Sequence, residues 1–297
     1  MSRSLSSRLV ISQKVPLLLY GTAWKEEETS ELTEKALKHG FTGLDTANYP
    51  TAYNEPLTGV GLAAGLGSGL NREDLFVQSK FTPAWAHDKD KIPFDVDQPL
   101  EDQIKESVQQ TFDHLRVAYL DSLLLHVPYK DPADTVKAWQ VLETYVPSKF
   151  RYIGVSNFTL EEFKALYEAA TIKPAILQNR FYRDTGYDIE LRAFCQEHGV
   201  IYQAFWMIRH NPEILNSEVV NQTAKKFCVE VETAFYLLVL GLGDIQVLNG
   251  TKRGEAMDAD LTAVKKVFND DEAYSDLQAL IPDFKKLMSE LTQKSDS

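Results

Sequence analysis

Three residues of different chemical type each close an apolar run. Asp45 ends FTGLD, Lys80 ends EDLFVQSK and His126 ends LDSLLLH. Taken singly, they have ordinary explanations as a turn residue, a solvated strand end and a packed histidine. Taken together they describe a site, provided the three runs are neighbouring strands whose ends open at one mouth. A lysine beside an aspartate forms a buried ion pair, and a phenol next to that ammonium loses its proton more easily. Tyrosine ordinarily titrates near about 10, too high for a good acid at neutral pH, so an adjacent cation is a suitable tuning device. The segment after Asp45 supplies two candidates, Tyr49 and Tyr53. A neutral histidine that donates a hydrogen bond polarises and orients a carbonyl. Such a set suits carbonyl reduction, with hydride arriving at carbon while the phenol protonates the developing alkoxide.

The elements that must position these residues alternate along the chain. Strand-like runs at 15–20, 41–45, 73–80, 120–126, 150–156, 175–178, 200–205 and 244–249 are each followed by a helix-like stretch. Those stretches are 26–38, 55–65, 100–116, 132–144, 160–170, 187–198, 217–240 and 256–268. The strands are apolar on both faces, which fits a parallel sheet covered by helices. Eight strand–helix units are the number that closes a (β/α)8 barrel, and no Pro/Gly/Ser-rich linker divides the chain. The reading is an α/β fold, a TIM barrel, in one domain over 1–297. Residues 1–14 form an N-terminal extension and 270–297 a C-terminal helix and tail. Helix starts are marked locally by Asp131-Pro132 and by the Thr159-x-x-Glu162 capping box.

Composition narrows the class. The chain has 297 residues, 43 acidic side chains against 31 Lys and Arg, and a formal charge of −12. That balance argues against a nucleic-acid surface, which needs clustered cations. Two cysteines, Cys195 and Cys228, support neither a disulfide scaffold nor a thiolate metal site, so the chain reads as reduced and cytoplasmic. The longest apolar run, AFYLLVLGLG from Ala234 to Gly243, is too short to cross a membrane. The Ser- and Arg-rich start has only a faint presequence character. A match to the dinucleotide fingerprint, Gly59-Val60-Gly61-Leu62-Ala63-Ala64, lacks the strand that the motif needs in front of it. It reads as the small-residue face of a helix.

The residues at the strand ends resemble those of the aldo-keto reductases, an NADPH-dependent (β/α)8 barrel family, from about Val15 to Asp260. Gly21-Thr22-Ala23-Trp24 is similar to the family's G-T-x-W. GLDTANYPTAYNE resembles its D-T-A…Y-x-N-E segment, FVQSK supplies its Lys and LLLHVP its His. GVSNF and Gln178 resemble its nicotinamide-amide binders, and NGTKR its phosphate-binding segment. The resemblance implies Tyr53 as proton donor, tuned by Asp45 and Lys80, with His126 positioning the carbonyl. Tyr53 is preferred over Tyr49 because Asn-Glu follows it, although Asp45 and Tyr53 stand further apart than is usual, which implies a loop insertion. Ser156, Asn157 and Gln178 would hold the carboxamide and Phe205 would stack on the ring. Thr22, Gly250, Thr251, Lys252 and Arg253 would complete the cofactor site, the two cations favouring a 2′-phosphate and hence NADPH. No metal is implied.

The chain departs from the family after strand 7, where aromatic-Ser-Pro-Leu becomes Phe205-Trp206-Met207-Ile208, and near the adenine, where Glu-Asn becomes Ala259-Asp260. Asp260 keeps an acceptor for the adenine amino group, but the clamp is thinner. Trp24, Trp85, Tyr129 and Trp206 are candidates for an open substrate pocket. The resemblance therefore implies an NADPH-dependent reductase of aldehydes or ketones, monomeric or weakly oligomeric, with a small-molecule partner and neither nucleic acid nor membrane. The rival reading is an NADP-sensing regulatory barrel of the channel β-subunit type. A non-redox lyase or isomerase is the third, hinted at only by Gly250-Thr251.

Overall fold

The structure is a computed structural model that describes residues 15–293. The N-terminal extension expected over 1–14 lies outside the described residues, as do 294–297. The eight strands are β1 (Leu18–Gly21), β2 (Gly43–Asp45), β3 (Phe76–Phe81), β4 (Leu120–Leu125), β5 (Phe150–Ser156), β6 (Ile176–Arg180), β7 (Ile201–Phe205) and β8 (Ile245–Asn249). They follow one another in sequence order around a closed sheet. Gly21 pairs opposite Asp45, Asp45 opposite Gln78, Lys80 opposite Leu124 and Ser156 opposite Gln178, all in parallel. This is the (β/α)8 architecture expected from the alternating pattern.

The helices are α1 (Thr29–Lys38), α2 (Glu55–Gly67), α3 (Leu100–Leu115), α4 (Pro132–Glu143), α5 (Leu160–Ala169), α6 (Ile189–Glu197), α7 (Pro212–Leu215), α8 (Glu218–Phe227), α9 (Val231–Gly241), α10 (Gly254–Asn269) and α11 (Asp271–Gln293). Local chemistry sets their starts. Asp131 accepts a hydrogen bond from Ala133 N ahead of Pro132, and Thr159 and Glu162 form both halves of a capping box. The single helix expected over 217–240 is two. Cys228 closes α8 in the left-handed conformation, φ +54°. The reason is a change of surface: α8 carries Asn, Gln and Lys on an exposed side, whereas α9 is buried along most of its length. One straight helix cannot present both.

The glycine face of α2 is a packing surface. A Cβ on Gly59 would collide with the His114 carbonyl, one on Gly61 with the Ser30 carbonyl, and one on Gly65 with the Leu37 side chain. The fingerprint-like spacing therefore serves close helix contact with α1 and α3.

The chain divides into two compact units: residues 19–178, and 15–18 with 179–293 among the described residues. The first is cored by Leu44, Val77, Leu123, Val155 and Trp139. The second is cored by Phe181, Tyr187, Phe235 and Phe284, and α11 covers α9 so closely that a Cβ on Gly241 would strike Ile281. No helix among the described residues is long and apolar enough to cross a membrane.

Candidate active site

The unit of residues 19–178 carries the titratable set. Asp45, the last residue of β2, is fully buried, and Lys80 on β3 reaches its Oδ2 at 2.6 Å. Gln78, two residues before Lys80 and so on the same strand face, donates to Asp45 Oδ1 at 2.7 Å. Gln178 donates to that same oxygen at 2.9 Å. The Lys80 ammonium also donates to the Thr46 carbonyl at 2.9 Å and to the Tyr53 hydroxyl at 3.4 Å, and lies 4.9 Å from the centre of the Tyr53 ring. The carboxylate, the ammonium and the phenol form a continuous chain. Each is held from a different element.

The two tyrosines are thereby separated. Tyr53 meets Lys80. Tyr49 packs its ring against His87 and His126, at 5.3 and 5.4 Å between centroids. His126, just after β4, places Nδ1 2.7 Å from the Thr82 hydroxyl, and its carbonyl accepts from Asn157 Nδ2 at 2.9 Å. A Thr82 hydroxyl that donates to Nδ1 would leave the ring proton on Nε2, the tautomer that can donate to a carbonyl. The Tyr53 ring lies edge-on to His126 at 6.2 Å.

Burial pushes the Tyr53 phenol above its ordinary 10, although the Lys80 charge and hydrogen bond pull it down. This qualifies the expectation of a readily ionised phenol: the cation offsets part of the desolvation, and the net direction is upward. For Lys80, burial works to lower the ammonium's pKa, but Asp45 and Tyr53 together outweigh it and the group is held above the usual lysine value.

Ser156 ends β5 opposite Gln178, and Asn157 follows it. Asn157 adopts φ +61°, its amide donates to the Ser156 hydroxyl at 3.1 Å, and its N–H donates to the Gln178 carbonyl at 3.0 Å. Thr22 is buried with its hydroxyl on the Asp45 carbonyl at 3.0 Å, where it braces the backbone beneath the carboxylate. Trp24 and Trp85 are exposed, and Lys130 lies over the Trp85 ring. The Tyr129 hydroxyl is buried and has no partner among the described residues.

In the other unit, Phe205 and Trp206 follow one another at the end of β7. Trp206 has φ +62°, stacks on His210 at 4.2 Å, and has the Arg180 guanidinium 4.5 Å from its ring centre. Gly250, Thr251, Lys252 and Arg253 lead into α10. Thr251 N donates to Asn249 Oδ1, Lys252 and Arg253 are exposed, and the helix start has no side-chain cap. Asp260, expected at the adenine, is buried. Thr233 donates to one of its oxygens at 2.5 Å and Asn249 to the other at 2.7 Å, so it braces the β8–α10 loop.

Sequence reasoning missed Gln78, Thr82, Ser79 and Glu55. The period of two in β3 carried a signal for Gln78, because it shares a face with Lys80. Glu55 and Ser79 carried none, since their meeting depends on how α2 packs on β3. Ser79 Oγ donates to Glu55 Oε1, and Glu55 Oε2 lies 2.9 Å from His114 Nδ1.

A parallel barrel with a buried carboxylate–ammonium–phenol chain at its strand ends defines a class of oxidoreductase barrels. The aldo/keto reductase family profile matches residues 18–212. The chain is 32% identical over 232 residues to glyoxal reductase of Bacillus subtilis, covering 76% of each protein. It is 28% identical over 248 residues to aldo-keto reductase family 1 member A1 of Homo sapiens, covering 72% of this chain and 71% of that protein. The aldose reductase structure from Schistosoma japonicum superposes with a TM-score of 0.69 at 22% identity, covering 89% of this chain and 88% of that one. The chain belongs to the aldo/keto reductase family, and it is an oxidoreductase acting on carbonyl groups.

Proposed function

We propose that the protein reduces small aldehydes or ketones to alcohols with NADPH, Tyr53 being the proton donor. The observation that carries this reading is the Lys80 ammonium bridging Asp45 and Tyr53. Lys80 limits the desolvation cost of ionising the phenol, so that the proton can leave as negative charge develops on the substrate oxygen. Asp45, held by Gln78 and Gln178, keeps Lys80 charged and in place. His126, with Nδ1 on Thr82, donates from Nε2 to the carbonyl and aligns it.

The residues present fit a nicotinamide dinucleotide. The uncapped start of α10, next to exposed Lys252 and Arg253, suits a phosphate, and the preference for NADPH rests on those two cations. Gly250 and Thr251 lead that loop, Ser156, Asn157 and Gln178 suit the carboxamide, and Phe205 offers a ring face. When bound, such a cofactor supplies a hydride. Trp24, Trp85, Tyr129 and Trp206 are proposed to border the substrate. The family match, over 18–212, runs past residue 178 into the second unit, which supports the reading of residues 1–297 as one domain. Two free cysteines support a cytoplasmic setting.

The test is NADPH consumption with a panel of aldehydes and ketones, comparing the wild type with Tyr53→Phe and Tyr49→Phe. Tyr53→Phe should lower kcat by about 10²–10⁴-fold, the range of a lost general acid, and Tyr49→Phe should not. Full activity in Tyr53→Phe would overturn the assignment. Tight NADPH binding without turnover across the panel would point to a regulatory barrel.

A further inference from the structure

Glu55 lies two residues after Tyr53, at the first position of α2, and its side chain is buried. A buried carboxylate is costly unless its oxygens are held, and here each has a partner from a different element. Ser79 on β3, next to Lys80 in sequence, donates to Oε1, and His114 on α3 meets Oε2 at 2.9 Å. The two contacts run in step along one strand: Lys80 binds Tyr53 and Ser79 binds Glu55.

The segment between Asp45 and Tyr53 is tied at its other end by Asn48, whose amide donates to the Ser107 hydroxyl and to Gln110 Oε1, both at 3.1 Å. Beside these ties lies an open pocket of about 540 Å³, lined by Tyr49, Tyr53, Asn54, Glu55, Gln110 and His114 among others. On that side the segment faces the pocket, and the ties from Asn48 and Glu55 restrain it.

We propose that Glu55 is a positioning residue for Tyr53: its carboxylate, held between Ser79 and His114, sets the reach of the phenol to Lys80. The proposal rests on the reading of Tyr53 as proton donor. Loosening the tie leaves Asp45 and Lys80 in place but lets the phenol drift from the ammonium. Drift of this kind costs rate steeply, about a hundredfold for a displacement near 1 Å. It also removes the interaction that draws the phenol's pKa down.

The experiment compares Ser79→Ala, Glu55→Ala and Glu55→Gln with the wild type. It measures kcat and KM for one aldehyde, NADPH affinity by fluorescence, and the pH profile of kcat. Ser79→Ala and Glu55→Ala should lower kcat by about tenfold to a hundredfold, with KM and NADPH affinity changed less than about twofold. Their alkaline limb should move to higher pH. Glu55→Gln, which keeps an acceptor for Ser79, should recover much of the loss. If Glu55→Ala does not fold, Ser79→Ala and Glu55→Gln decide the matter. Folded variants with wild-type kcat overturn the proposal, and so does a loss shared by kcat and NADPH affinity with an unmoved limb. An active Tyr53→Phe removes the underlying reading, whereas an inactive Tyr53→Phe beside unaffected Ser79→Ala and Glu55→Ala removes only the positioning role.

Discussion

Lys80 and Asp45 meet at 2.6 Å with side chains 0% and 1% exposed, so removing either charge strands the other in the protein interior. Breaking such a pair costs about 3–5 kcal/mol, whereas replacing both partners with apolar groups is often close to neutral. Lys80→Met and Asp45→Asn should each lower the urea midpoint sharply and reduce turnover steeply. The double variant Lys80→Met/Asp45→Leu should recover stability without recovering activity. A double variant whose loss equals the sum of the two single losses would show that the pair is not energetically coupled.

The raised pKa of Tyr53 has a signed consequence. The folded state retains a proton that the unfolded chain loses near the ordinary value of 10, so this contribution to stability is full below pH 10 and is lost as the pH rises through the folded value. With Tyr53 as the proposed donor, reduction would use the protonated phenol, so kcat should stay level through neutral pH and fall only above 10. In any Lys80→Met enzyme with residual turnover, that limb should lie still higher, because the cation that lowers the phenol's pKa is gone. A pH–rate profile checks both statements.

Lys252 and Arg253 are exposed ahead of an uncapped helix start. Charge-assisted hydrogen bonds contribute about 1.5–3 kcal/mol each. The Lys252→Ala/Arg253→Ala enzyme should therefore lose at least about tenfold in NADPH affinity and little in NADH affinity. Fluorescence titration with both cofactors distinguishes this from a solvated loop pair, which would change neither.

Asp121 provides the structural contrast to Asp45. It is the second residue of β4, at the opposite ends of the strands from Lys80 and His126, and accepts from Arg72 at 2.8 Å, Arg151 at 2.9 Å and Val77 N at 3.0 Å. Asp121→Ala should destabilise the fold by about 3–5 kcal/mol while kcat at low temperature stays near wild type. A large fall in kcat for folded protein would contradict this.

Much of this architecture is legible in the chain itself, because the strands are short, largely apolar runs and several of them meet a polar residue at the same end. The Asp45, Lys80 and His126 positions were readable for that reason, and so was the glycine face of α2, which lacked a preceding strand. The break at Cys228 was not readable, since nothing in KKFCVE forces a left-handed residue; it follows from the different surroundings of α8 and α9. The burial of Asp260 and the Glu55–Ser79 contact depend on tertiary packing, which periodicity does not report. The same holds for Gln178, a strand-end residue in the sequence and a donor to Asp45 in the fold.

The Asp45 carboxylate is met by Gln78 and Lys80 from alternate positions of β3 and by Gln178 from β6. Sliding β3 by one residue would turn Val77 and Ser79 toward Asp45 in their place, leaving a buried anion with no counter-charge. The contacts to Asp45 therefore also hold β3 in register: a shifted strand would lose the buried ion pair and, with it, the arrangement proposed for turnover.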